Sequence, residues 1–195
     1  MLNPLFKKAG NRLLFCLEKT MRYWLLLLTL IAPLSFASLE ETDWLDLMPE
    51  EDRIALENMP EIEHQGAELN ADFGAVGGLK QGQGLPEVMY SAKTVPEMDG
   101  RTIRLAGYPV PLNTDAKGRV IELFLVPYPG ACIHVPPPPP NQIVLVRYPQ
   151  GIAIEDIYEP IEVTGPLTIE PVSNDLADAA YAIGATKISV LDEAY

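Results

Sequence analysis

The chain has little of the chemistry that most enzymes and metal proteins depend on. Its 195 residues include two cysteines and two histidines. Cys16 lies in what reads as a leader, so Cys132 is left without an internal partner and a disulfide framework is excluded. No second Cys/His pair accompanies Cys132 and His134, and a closed structural zinc site needs four ligands. Positive charge is also scarce, with 14 Lys and Arg against 27 Asp and Glu and a net charge of −13. Such a surface repels phosphate backbones and anionic headgroups, which makes nucleic acid a poor partner. A cation, a basic protein face or simple solubility fits better, with solubility the plainest reading. Long apolar runs are missing as well: the greasiest stretch, residues 23–32, falls short of the roughly 20 residues that span a bilayer.

That stretch has a different use. Arg22 precedes it, and Pro33 and the small-x-small ending Ser35-Phe36-Ala37 follow it, which is the pattern of a secretory signal peptide cleaved after Ala37, with an uncleaved anchor as the alternative. Met21 is an alternative start to Met1, because Met21-Arg22 makes a compact signal. Leu13-Leu14-Phe15-Cys16 only loosely resembles a lipidation box, since almost no apolar run precedes Cys16. Removal of residues 1–37 takes away five basic residues and one acid, leaving a chain of formal charge near −17 with no membrane span. An exported protein with one remaining thiol is expected to bury it, bind metal with it or pair it with another chain.

The remainder divides into three parts: a helical arm at 38–59, a Gly-rich flexible linker at 60–85 and a β-rich domain at 86–195. In the arm, Thr42 or Asp43 can cap a short helix that places Trp44, Leu45 and Met48 on one face. Pro49 with Glu50, Glu51 and Asp52 suits the first turn of a second helix, running to about Asn58. The linker has six glycines, few bulky apolar groups and His64, read as a solvated loop histidine. Strands are predicted at 101–107, 120–126, 142–147, 161–169 (broken at Gly165-Pro166) and 187–191. Ser173 is read as the cap of a helix over 174–183, with Leu176, Ala179, Ala180 and Ile183 on one face. Five strands and one packed helix predict a mainly β fold, a small barrel nearest the oligonucleotide/oligosaccharide-binding (OB) type. The position of that helix, just before the last strand, departs from the OB plan.

The stretch Tyr128-Pro129-Gly130-Ala131-Cys132-Ile133-His134-Val135, followed by Pro136, Pro137, Pro138, Pro139, Pro140, Asn141 and Gln142, holds the candidate site. In an extended chain Cys132 and His134 point to the same side, about 7 Å apart along the backbone, so both can reach one zinc or copper ion. Asp, Glu or His64 would have to complete such a site. The pair can also be a nucleophile with its base, or a thiol and imidazole held for structure alone. The five prolines favour a polyproline II rod of roughly 15 Å, which docks in an aromatic groove of a partner or on this domain's own Tyr128, Tyr148 or Trp44. The candidate binding set is therefore Tyr128, Gly130, Cys132, His134, Pro136–Pro139, Asn141 and Gln142, with Cys132 and His134 as candidate metal ligands.

Trp44-Leu45-x-Leu47-x-Pro49, Gly107-Tyr108-x-Val110-Pro111-Leu112, the block 125–139, Asn141-Gln142 and Val163-x-Gly165-x-Leu167 together resemble the exported bacterial family called domain of unknown function 3299. The likeness covers roughly residues 95–190 and the Trp44 arm. Pro109 stands where a methionine is common, and the Gly-rich insertion at 60–85 departs from the family. The resemblance implies an exported, periplasmic protein without established activity. Some relatives are encoded beside permeases of the lipoprotein- or macrolide-export type, others beside metal-responsive genes. It therefore implies an accessory binding role in an envelope ABC-type transport system, with a link to zinc homeostasis. A periplasmic metal chaperone and, behind it, a thiol-dependent enzyme are the alternatives.

Overall fold

The computed structural model describes residues 41–59, 85–131 and 137–191. The expected signal peptide, most of the Gly-rich linker, and Cys132, His134 and Pro136 lie outside the described residues.

Six strands form one sheet that closes on itself: β1 (Thr102–Thr114), β2 (Val120–Val126), β3 (Val144–Ile152), β4 (Ile161–Ser173), β5 (Asp178–Gly184) and β6 (Lys187–Val190). The order is β1-β2-β3-β5-β4-β6, and an additional β1–β4 pairing shuts a five-stranded barrel with β6 beside β4. Every pairing is antiparallel except β3 with β5. The fold is thus mainly β, a small closed barrel as expected, and among the described residues the single α-helix is α1 (Glu50–Glu57) in the arm.

Closure depends on two long strands that change partner midway. The first half of β1, residues 102–107, pairs with β4, and the second half, residues 108–114, pairs with β2. β4 likewise pairs with β1 and β6 through residues 161–166 and with β5 beyond them. A glycine sits at each change. A Cβ on Gly107 would lie 2.7 Å from Val126 O and 2.9 Å from Trp44 Cζ2; on Gly165 it would lie 2.4 Å from Gly184 O. Only a residue without a side chain lets the backbones approach so closely at these corners. The predicted break at Gly165-Pro166 is therefore a bend inside one continuous strand.

Alternation along β2 sends Leu123 and Leu125 into the barrel core with Ile103, Leu105, Val144, Val163 and Tyr181. Phe124 and Val126 face a second apolar cluster with Ala131, Ile143, Leu145, Ala179 and Ala182. A strand covered on both sides reads as a continuous apolar run, which is why 120–126 carries little period-2 signal.

The helix expected over 174–183 is a correction: those residues contain a turn and strand β5. Asn174 Oδ1 accepts from the amides of Leu176 and Ala177 at 2.9 Å, and its own amide donates to Ala177 O, closing the β4–β5 turn. The alanines that suggested a helix are small because β5 lies between β3 and β4 with both faces buried; tertiary packing overrides alanine's helix propensity. With no helix before the last strand, the objection to the OB-like plan disappears.

Candidate functional site

The arm is built into the barrel wall. Asp43 caps the 3₁₀ turn Trp44–Leu47, and Asp46 returns the bond to the Asp43 amide. The Trp44 indole lies over Gly107, and its Nε1 donates to Ala106 O at 2.7 Å. Nearby, the Thr42 amide donates to Arg104 O, so the arm also covers a free edge of β1. Leu47 and Met48 are buried, whereas Leu45 is 44% exposed, so the face that anchors the turn is Trp44 with Leu47 rather than Trp44 with Leu45. Tyr181, buried on β5, donates its hydroxyl proton to Leu47 O at 3.0 Å and accepts from Val95 N at 2.7 Å. Burial pushes its phenol above the usual range.

The proline stem ends on this same arm. Residues 137–140 are buried, and Pro140–Gln142 form a 3₁₀ turn packed against β5. Asn141 is wholly buried; its Nδ2 donates to Asp52 Oδ2 and Lys93 O, both at 3.0 Å, and its amide donates to Ser91 O at 3.2 Å. Gln142 Nε2 donates to Trp44 O at 2.7 Å. Asp52, 5% exposed, also accepts from Ser91 Oγ at 2.5 Å and lies 3.6 Å from Lys93 Nζ. The hydrogen bond to Glu51 holds the Lys93 ammonium above its usual range. Asn141 Oδ1 is buried and finds no hydrogen-bond partner among the described residues.

The other end of the stretch is rooted in the second apolar cluster. Ala131 is buried there, and Tyr128 packs against it, half-buried. Burial pushes the Tyr128 phenol up to about 12. Gly130 takes φ +75°, the left-handed region that a glycine accepts without strain.

Of the expected site residues, the structure thus brings Asn141 and Gln142 to the arm, buries Pro137, Pro138 and Pro139 beside them, and sets Tyr128 and Gly130 at the opposite root. The juxtaposition of Cys132 with His134 lies outside the described residues. Asp52, Ser91 and Lys93 were missed by sequence reasoning. Asp52 sits in a first helical turn, where an acid is already explained by the helix terminus, so nothing in the sequence marks it as buried. Among the described residues, no group of three or more His, Cys, Asp or Glu side chains could hold a metal ion. Two shallow grooves of about 480 and 440 Å³ flank the arm, sharing Asp46, Met98 and Arg101, and neither is lined by residues of the 128–142 stretch. No helix among the described residues is long and apolar enough to cross a membrane.

No curated protein matches the chain. A crystal structure of a DUF3299 family protein from Pseudomonas aeruginosa matches it at 33% identity and a TM-score of 0.59, covering 80% of this chain and 98% of that one. An aspartyl-tRNA synthetase from Entamoeba histolytica (16% identity, TM-score 0.30, 57% of this chain and 24% of that one) carries no argument. Nor does a putative aspartyl-tRNA synthetase from Leishmania major (13% identity, TM-score 0.29, 66% and 26%). The family model described as protein of unknown function DUF3299 matches residues 44–190, from the arm tryptophan to the end of β6. The chain belongs to that family.

Proposed function

We propose that this protein is a non-enzymatic binding module of the bacterial envelope. On this reading it is exported through a cleaved signal to the periplasm and is accessory to an ABC-type transport system, with a link to zinc homeostasis. The recognition element is the 128–142 stretch. The observation that carries this reading is the fixing of both its roots: Tyr128 and Ala131 pack in one apolar cluster, and Pro137 to Gln142 are buried and hydrogen-bonded to the arm. Roots fixed in this way lose little further entropy when a partner contacts them, which is what a preorganised contact requires. The partner is an envelope protein, a permease or its accessory subunit, with a basic face to meet the acidic surface.

The prolines cannot be the test residues, because residues 137–140 also seat the arm. Cys132→Ala with His134→Ala is the appropriate variant. Tagged intact and variant proteins are crosslinked in the envelope, and partners are identified by mass spectrometry. Loss of a transport-system partner at unchanged melting temperature supports the proposal. Equal recovery by both proteins removes the stretch from it, and recovery of no transport component by the intact protein ends it.

A further inference from the structure

A second surface has the chemistry of a peptide-docking edge. Among the described residues β6 pairs with β4 on one side only. The Leu191 amide donates to Pro160 O at 2.9 Å, and this bond sets the alternation of the β4–β6 ladder. Lys187 and Ser189 therefore turn their main-chain groups towards β4, and Ile188 and Val190 turn theirs outwards. The loop that precedes β4 joins this edge, since Pro160 faces Leu191 and Ile161 pairs with Val190. Ile157, 42% accessible, and Tyr158, 48%, lie on the loop that leads into this pairing, and Val190 on β6 is 43% accessible; these are three of the six exposed large apolar side chains among the described residues.

This corner, β6 with the loop before β4, carries uncompensated negative charge. Glu155, Asp156 and Glu159 are exposed, and none has a cationic partner among the described residues. These acids decide between occupants. A second copy of this chain would place like charges opposite one another, and an anionic membrane would be repelled. An extended basic segment satisfies all three features: its main chain bonds to the outward groups of Ile188 and Val190, its apolar side chains cover Val190 and Ile157, and its lysines or arginines meet the acids and the Tyr158 ring. Lys187, at the far end of this short edge, guards against indiscriminate strand pairing.

We propose that the β6 edge, with the Ile157–Tyr158 loop, binds an extended basic-apolar peptide segment of a partner protein by strand addition. The existence of a partner rests on the binding-module reading above; the character of the segment rests on this corner alone.

The test uses the full mature chain and a short fluorescent peptide alternating lysine and valine, with a glutamate–valine peptide as control. Binding of the basic peptide is expected by anisotropy, with amide shifts in NMR centred on Ile188 and Val190. Asp156→Lys with Glu159→Lys, both on the exposed loop, should weaken it about tenfold or more. Val190→Pro removes an outward donor without touching the ladder to β4 and should abolish it. Failure of the basic peptide to bind, equal binding of the acidic peptide, indifference to the charge reversal, shifts centred elsewhere, or self-association through β6 would each overturn the proposal. Cys132→Ala with His134→Ala should leave peptide binding unchanged while abolishing partner recovery, so the two proposals fail separately.

Discussion

Replacing Asn141 with alanine tests the claim that the proline stem holds the arm in place. The side chain lies wholly inside the protein, and its two Nδ2 protons go to Asp52 Oδ2 and Lys93 O at 3.0 Å each. A hydrogen bond to a charged group contributes about 1.5–3 kcal/mol, and leaving the Lys93 carbonyl without its partner costs about 1 kcal/mol more. The change also deletes Oδ1, which has no partner among the described residues, and relief of such an orphan returns roughly 1 kcal/mol. The net loss is about 1.5–3 kcal/mol, which for a domain of this size lowers the melting temperature by roughly 3–12 °C. Urea unfolding of the wild type, Asn141→Ala, Asp52→Ala and the double variant gives the coupling directly, expected at about 1–2 kcal/mol. An unchanged slope with a shifted midpoint places the loss in the global transition, and a lowered slope shows that the arm has come away first. A loss below about 1 kcal/mol, or a coupling near zero, would refute the claim that this bond ties the stem to α1.

Further outcomes follow from the same geometry. Gly165→Ala places a methyl 2.4 Å from Gly184 O, a backbone atom that cannot swing aside, and should cost more than about 3 kcal/mol or prevent folding, read from expression and thermal melts. Tyr128 keeps its proton in the folded state to about 12, against an ordinary 10.0. The stability it contributes is therefore full below pH 10 and is lost as the pH rises towards 12, and Tyr128→Phe should flatten that loss in alkaline denaturant titrations. Expression with the native leader should yield a periplasmic protein whose N-terminal residue is Ser38; a full-length, membrane-held product would contradict the export reading. The metal-chaperone alternative requires tight zinc or copper(I) binding that disappears in both Cys132→Ser and His134→Ala, and a titration with only weak surface binding would close it.

The barrel was largely legible because strand signals are local. Val120–Val126 has the bounds its sequence predicts, and the turn before it carries Asp115 and Gly118. The alanine-rich stretch at 177–182 is the exception. Small residues support a helix in isolation, yet here they line a strand squeezed between two neighbours, a fact that lives in the sheet order. The long reach of β1 and β4 was also hidden. Both contain prolines in their outer halves, which sequence rules treat as breaks and an irregular barrel accommodates. At the candidate site, the proline stem was readable as a run of residues, but the contacts that seat its end were not: Asp52 lies 89 residues from Asn141, and Trp44 98 residues from Gln142.

These long-range contacts change what the family motifs mean. Trp44 lies on Gly107, Gln142 bonds to Trp44 O, Asn141 holds Asp52, and Gly165 lets β4 pass close to Gly184. Each of these motif residues is accounted for by closing the barrel and seating the arm, so none of them need be assigned to chemistry. Segment 132–136, with Cys132 and His134, is the part of the motif that lies outside the described residues, between roots that are themselves fixed. The peptide-docking corner at Ile157, Tyr158 and β6 lies outside every motif. If the motif core serves a purpose common to the family and the acidic corner serves this protein's own partner, the two should separate experimentally. Transplanting residues 153–160 and 187–190 into a DUF3299 relative that does not itself bind the lysine–valine peptide should transfer that binding. Transplanting segment 132–136 should not. The reverse pattern, measured by the same anisotropy assay, would put partner choice in the motif and leave the corner without a role.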